Sequence, residues 1–154
     1  MLLNPKKQTF YNKEYKEISS KNNKMRYEPA PDLQELAEEI SRLLFPHINL
    51  ERVKCFRSYG TSSKRTIARC HALSKIMQKS LGMIAFYPLE FLSEQFDKLD
   101  KEAQIKVIIH ELMHIPKTFG GGFVQHHLVN RKNVEKNYIS YKKSKNEKKS
   151  WFQI

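Results

Sequence analysis

Val107-Ile108-Ile109-His110-Glu111-Leu112-Met113-His114-Ile115-Pro116 is the stretch on which the reading of the fold turns. It contains His-Glu-x-x-His. A separation of four residues puts His110 and His114 one turn apart on the same helix face. Two neutral imidazoles so placed can hold one Zn²⁺. Glu111 lies beside them, where a carboxylate can take a proton from a metal-bound water. The competing reading is an amphipathic helix with two polar-face histidines and a solvated glutamate. The flanking residues favour the metal. Asp100 is placed to cap a helix beginning at Lys101. Ile105, Ile108, Ile109, Leu112 and Met113 recur at three- and four-residue steps, which makes a buried stripe. Pro116 ends the helix just past His114, leaving the second histidine near an opening that a third ligand can approach.

Downstream, Phe119-Gly120-Gly121-Gly122-Phe123 lets the backbone turn tightly and approach other groups closely. His126 and His127 follow, twelve and thirteen residues past His114. A loop of this kind can swing one imidazole back to the metal; the plainer reading is a flexible loop with a surface histidine pair. A closing helix is expected over 130–141, with Val134, Tyr138 and Tyr141 facing inward and the two tyrosines as candidate oxyanion donors.

Upstream, residues 83–89 give the clearest strand, and Pro88 places it at an edge because it has no N–H to donate. An edge strand ahead of the motif helix can hold an extended peptide by adding it to the sheet, which makes Ala85, Phe86 and Tyr87 candidate substrate-binding residues. A second strand is expected over 51–58. Residues 66–70 can pair with it as a further strand, and 72–81 read as helix ending at Gly82. His71 reads as a core-edge histidine rather than a ligand. Asp32 is placed to cap a helix of about thirteen residues with Leu33, Leu36, Ala37, Ile40, Leu43 and Leu44 on one face, ending at Pro46. A short helical turn is expected over 93–97. The class is α+β: a small mixed or antiparallel sheet packed on an N-terminal helix and the motif helix.

Three units follow: a basic arm over 1–31, closed by Pro29-Ala30-Pro31 and expected to be mobile, a domain over 32–141, and a Lys-rich, disordered tail over 142–154. Tyr11, Tyr15 and Ile18 could make a short amphipathic turn in the arm. The net charge of +12 is concentrated at the two ends. Between Arg52 and Lys79, however, eight basic residues occur with no acidic one. That block suits a polyanion, nucleic acid first, and Lys64, Arg65 and Arg69 are its candidate contacts. A solvated basic surface is the equal alternative. Cys55 and Cys70 lack the spacing of a zinc knuckle and read as two reduced, buried thiols. With no long apolar run and no secretory h-region, no membrane partner is expected and the cytoplasm is the default location.

The motif helix, the Phe-Gly-Gly-Gly-Phe loop with a histidine soon after, and the upstream Arg65-Thr66-Ile67-Ala68-Arg69 resemble the phage/archaeal metallopeptidase family. That family is zincin-like and distantly similar to SprT-like proteases; the resemblance covers about residues 32–141. It implies one zinc per chain, with His110 and His114 as ligands and Glu111 as catalytic base. The family's third histidine position is matched best by His126, with His127 as an alternative. Glu135, 21 residues past His114, has a spacing similar to that of proteases with a glutamate third ligand. The metzincin pattern is absent, since Lys117 and Gly120 stand where its glycine and third histidine would be. The expected function is a zinc-dependent endopeptidase, acting on proteins that can include nucleic-acid-associated ones. The rival is a basic nucleic-acid-binding protein with a structural or inactive zinc site.

Overall fold

The computed structural model describes residues 25–151. The expected turn at Tyr11, Tyr15 and Ile18, most of the arm, and the last three residues of the tail lie outside the described residues. In chain order the elements are β1 (Arg26–Pro29), α1 (Pro31–Leu44), a 3-10 turn (Leu50–Arg52), β2 (Val53–Tyr59), β3 (Ala68–Cys70), α2 (Lys75–Leu81), β4 (Tyr87–Leu92), α3 (Ser93–Phe96), α4 (Lys101–Met113) and α5 (Arg131–Trp151). The sheet order is β1-β2-β4-β3. β2 and β4 are parallel, while β1 and β3 are antiparallel to their neighbours. The α+β class with a small mixed sheet is therefore what the chain adopts.

Alternation in the strands decides which face is covered. Val53 and Cys55 of β2 and Tyr87, Leu89 and Phe91 of β4 point to one face and are buried. Against it lie Leu33, Ala37 and Ile40 of α1 and Ile108, Ile109 and Leu112 of α4, in one continuous core. Val134, Tyr138 and Tyr141 of α5 close it from outside. The motif helix is thus held between the sheet and two other helices, with Ile108, Ile109 and Leu112 fully buried. Truncating any of the three to alanine costs about 2–5 kcal/mol.

Several sequence expectations are corrected. The first helix begins at Pro31, in the first-turn position that tolerates a missing N–H, and Asp32 is not its cap. Asp32 instead receives both Nη atoms of Arg57 (2.6 and 2.7 Å), tying α1 to β2. That bidentate guanidinium, by hydrogen bonding above all, holds the Asp32 carboxyl below its usual range.

The strand expected over 83–89 is displaced to Tyr87–Leu92. Arg52 accounts for part of this: its Nε and Nη2 take the carbonyls of Ala85 (2.6 Å) and Ile84 (2.7 Å). Nor is this strand an edge. It lies between β2 and β3, so Ala85, Phe86 and Tyr87 cannot add a peptide to the sheet. Pro88 is tolerated there because the parallel ladder to β2 uses the alternate residues. Its missing N–H falls opposite the His71 carbonyl, while its own carbonyl still accepts from the His71 N–H (2.8 Å). β3 ends at Cys70 as expected but starts two residues later, at Ala68. β3 itself pairs with β4 and not with the preceding strand.

The arm is shorter than the sequence suggested, since Arg26–Pro29 form β1 against β2. The tail is not disordered where it is described. Helix α5 runs on through 142–151, anchored by Lys145, whose Nζ reaches Glu39 (2.7 Å) and the Tyr141 hydroxyl (3.1 Å). No glycine or proline interrupts it. Both cysteines are free thiols; Cys55 is buried as expected, whereas Cys70 is only part-buried. Burial pushes the Cys55 thiol up to about 12 and raises that of Cys70 as well.

Candidate metal centre

The first half of the site is built by α4. The Asp100 carboxylate accepts the Ala103 N–H (2.8 Å) and starts the helix where the sequence placed it. The apolar stripe then fixes its rotation. His110 is half-buried and His114 buried, and their Nε2 atoms face each other at 3.3 Å. Ligand nitrogens about 2.0–2.1 Å from a tetrahedral zinc are roughly 3.3–3.4 Å apart, so this spacing fits the ion. His114 Nδ1 lies 2.8 Å from the Val124 carbonyl, which makes it the N–H donor and leaves Nε2 as a lone pair. Burial lowers the His110 imidazole to about 4, with His114 and His126 adding to the effect. Burial also lowers His114, against the opposing pull of the Val124 carbonyl. Both rings are therefore neutral near pH 7, the state a metal requires.

Glu111 is 6% exposed. Burial pushes its carboxyl up to about 7, and the Cys70 backbone N–H acts in the other direction. A carboxyl poised there can both accept and return a proton near neutral pH.

The second half of the site is a loop held from far away in sequence. Gly121 has φ +97°, and a Cβ there would meet the Gln78 amide nitrogen at 2.3 Å and the Leu73 carbonyl at 2.5 Å. The Tyr87 hydroxyl accepts the Gly121 N–H (2.8 Å) and donates to the Gly122 carbonyl (2.9 Å). The Gln78 amide donates to Leu73 (2.7 Å) and Gly120 (3.0 Å). Past these anchors, the Val124 N–H donates to the His114 carbonyl (2.8 Å), so Val124 grips His114 by both backbone and ring. His126 follows two residues later. Its ring centre is 4.7 Å from that of His114 and 5.8 Å from that of His110. One ligand nitrogen from each of the three histidines lies within 4.8 Å of the others, a cluster able to hold a metal ion.

The remaining sequence candidates fall elsewhere. His127 is exposed and outside the cluster. Glu135 sits on α5 with its carboxylate on Lys106 Nζ (2.8 Å). Tyr138 donates to Glu102 (3.2 Å) and Tyr141 to Glu39 (2.6 Å), so both face away from the expected oxyanion. Tyr87 is fully buried and anchors the glycine loop rather than a substrate. In the basic block, Arg52 and Arg57 are committed to the contacts above and Arg69 lies 3.4 Å from buried Glu90. Lys64 and Arg65 are exposed. His71, read from sequence as a core-edge residue, bonds Glu90 through Nε2 (2.7 Å).

Sequence reading missed Tyr87, Gln78 and Val124 as organisers of the site. The glycine run was the only signal, because it announces a close backbone approach without naming what is approached. Two cavities meet at the cluster. One, about 430 Å³, is bounded by β3, the histidines and Phe123. The other, about 580 Å³, lies between 65–68 and the facing sides of α4 and α5. Ala68, His110 and Glu111 line both.

The family model described as "Putative phage metallopeptidase" matches residues 25–146. Neither a curated protein nor a solved structure matches the chain. No described helix is long and apolar enough to cross a membrane.

Proposed function

Because the chain belongs to that phage metallopeptidase family, we propose that it is a zinc-dependent endopeptidase of zincin type. His110, His114 and His126 hold the metal in this reading, and Glu111 is the general base. One observation carries it: three imidazole nitrogens converge within 4.8 Å beside a buried glutamate. Zinc is favoured by the all-nitrogen donor set and the 3.3 Å spacing of the first two ligands. When bound, it supplies Lewis acidity, polarising the scissile carbonyl and acidifying water.

The chain's own groups do the rest. Glu111 takes the proton of the attacking water and returns it to the leaving nitrogen as the peptide bond breaks. His114 keeps the tautomer that Val124 imposes. β3 is the sheet edge beside the cleft, with the backbone groups of Ala68 and Cys70 on its unpaired side. An extended substrate can add there as a further strand, the role expected from sequence for 85–87.

The test is hydrolysis of an unfolded protein by zinc-loaded wild type, Glu111→Gln and Glu111→Ala. The expected result is a loss of about 10²–10⁴-fold in both variants with zinc still bound. Undiminished cleavage in Glu111→Ala would refute the assigned role.

A nucleic-acid-binding protein with a structural zinc is the second reading. Lys64, Arg65, Lys75 and Lys79 favour it, being exposed and without an acidic partner among the described residues. Salt-dependent DNA binding without proteolysis supports that reading. Both properties together mark a protease of nucleic-acid-associated proteins. If neutralising Lys64 and Arg65 leaves DNA affinity unchanged, these cations are only surface.

A further inference from the structure

The second cavity is larger than the space at the histidines and is built differently. Its apolar wall is Ile67, Ala68, Val107 and Val134. Its cations are Arg65, from the segment ahead of β3, Arg131, from the first turn of α5, and Lys106. Lys106 is already satisfied, by Glu102 (2.7 Å) and Glu135 (2.8 Å). Glu135, the acidic residue at the far wall, is accounted for by the same contact. Arg65 and Arg131 make no ion pair among the described residues, though both line a cavity that opens on Glu111.

The position of Arg131 is fixed by fold rather than chance. Asn130 Oδ1 accepts the Asn133 N–H (3.0 Å) and starts α5 there, and buried Val134 sets the helix rotation. Arg65 is carried on the other wall by a segment tied into the sheet, where the Ile67 carbonyl accepts the Leu92 N–H (2.9 Å). Two guanidiniums from separate elements thus flank an apolar cavity next to the reacting groups.

We infer that this cavity is a specificity subsite for a carboxylate-bearing group of the substrate, adjacent to the bond that is cut. An aliphatic stem ending in a carboxylate matches apolar walls and unpaired guanidiniums, which bind carboxylates in bidentate fashion. A glutamate side chain and the terminal carboxylate of a peptide both present that chemistry. The inference rests on the endopeptidase reading for its biological meaning, but binding can be measured without catalysis.

The experiment uses the full chain, free of metal, and fluorescently labelled alanine-rich hexapeptides. One carries a central glutamate, one glutamine and one lysine, each with a free or an amidated C-terminus. Anisotropy titrations compare wild type with Arg65→Glu, Arg131→Glu and the charge-preserving Arg65→Lys and Arg131→Lys. The expected result is at least tenfold tighter binding of the glutamate peptide than of the glutamine peptide. That preference is lost or inverted toward lysine in the Glu variants and kept in part in the Lys variants. If only C-terminal amidation weakens binding, the bound carboxylate is the chain terminus. Equal affinity for the glutamate, glutamine and lysine peptides, free and amidated alike, overturns the subsite, as does a preference that the Glu variants leave intact. Cleavage by the zinc-loaded chain is measured in parallel. Carboxylate-selective binding with no cleavage of any peptide would sink the endopeptidase reading and leave the subsite standing. Cleavage without carboxylate selectivity would do the reverse.

Discussion

The two halves of the histidine cluster are made in opposite ways. His110, Glu111 and His114 sit on one helix, placed by a four-residue repeat and an apolar stripe that turns the helix toward the sheet. His126 is exposed and reaches the same point from a loop, whose shape is set by Tyr87 on β4 and Gln78 on α2. Local periodicity positions the first half; contacts 34 to 42 residues apart position the second. The halves meet at Val124, which binds the backbone and the ring of His114 at once. A helix can present two ligands without help, but the third depends on tertiary structure being complete.

Breaking the helix half should have the largest effect. His110→Ala or His114→Ala is expected to abolish stoichiometric zinc binding and all peptide cleavage, read by elemental analysis and a fluorogenic substrate. His114→Ala should also loosen the loop, seen as faster amide exchange at Val124 than in His110→Ala. Equal exchange in the two variants would separate the halves.

Glu111 tests the same helix through stability. Its carboxyl is raised from the ordinary 4.5 to about 7 by burial. In the metal-free protein its stability contribution is therefore full below pH 4.5 and lost as pH rises through 7. Glu111→Gln should then stabilise the metal-free chain at pH 8 by up to about 3 kcal/mol and not at all at pH 4. Thermal unfolding at the two pH values checks this; a gain of equal size at both would contradict it.

On the loop side, Gly121→Ala combines a positive φ with overlap on Leu73 and Gln78. A loss of about 1–3 kcal/mol is expected, together with weaker zinc binding. Tyr87→Phe is gentler. It keeps the ring packed on Phe119 and removes only the hydroxyl that holds Gly121 and Gly122. Zinc affinity should fall about 10–100-fold, as for other changes outside the ligands themselves. Stability falls by about 1–3 kcal/mol. An unchanged zinc affinity would mean that the loop finds its place without this anchor.

This contrast also explains what was legible in the sequence. The helices around Leu33 to Leu44 and Ile105 to Met113 were readable because their apolar spacing is local. Gly82 and Pro116 marked ends for the same reason. The histidines of the motif and the glycine loop could be named, but the anchors could not. Nothing near Tyr87 in sequence says that its hydroxyl meets Gly121. The order of the strands was hidden as well. Pro88 suggests an edge, and only the pairing of alternate residues with β2 and β3 reveals why an interior strand accepts it. Arg52, counted in the basic block, instead captures two carbonyls just ahead of β4. Charge composition cannot distinguish a cation facing solvent from one committed to the backbone.

The most direct test of a metal centre completed by the loop is zinc per chain after loading and desalting, in wild type, His126→Ala, His127→Ala and Glu135→Ala. The account predicts close to one zinc in wild type, His127→Ala and Glu135→Ala, and a clear loss in His126→Ala alone. Zinc retained by His126→Ala and lost in either of the others, or no zinc in wild type, would contradict it.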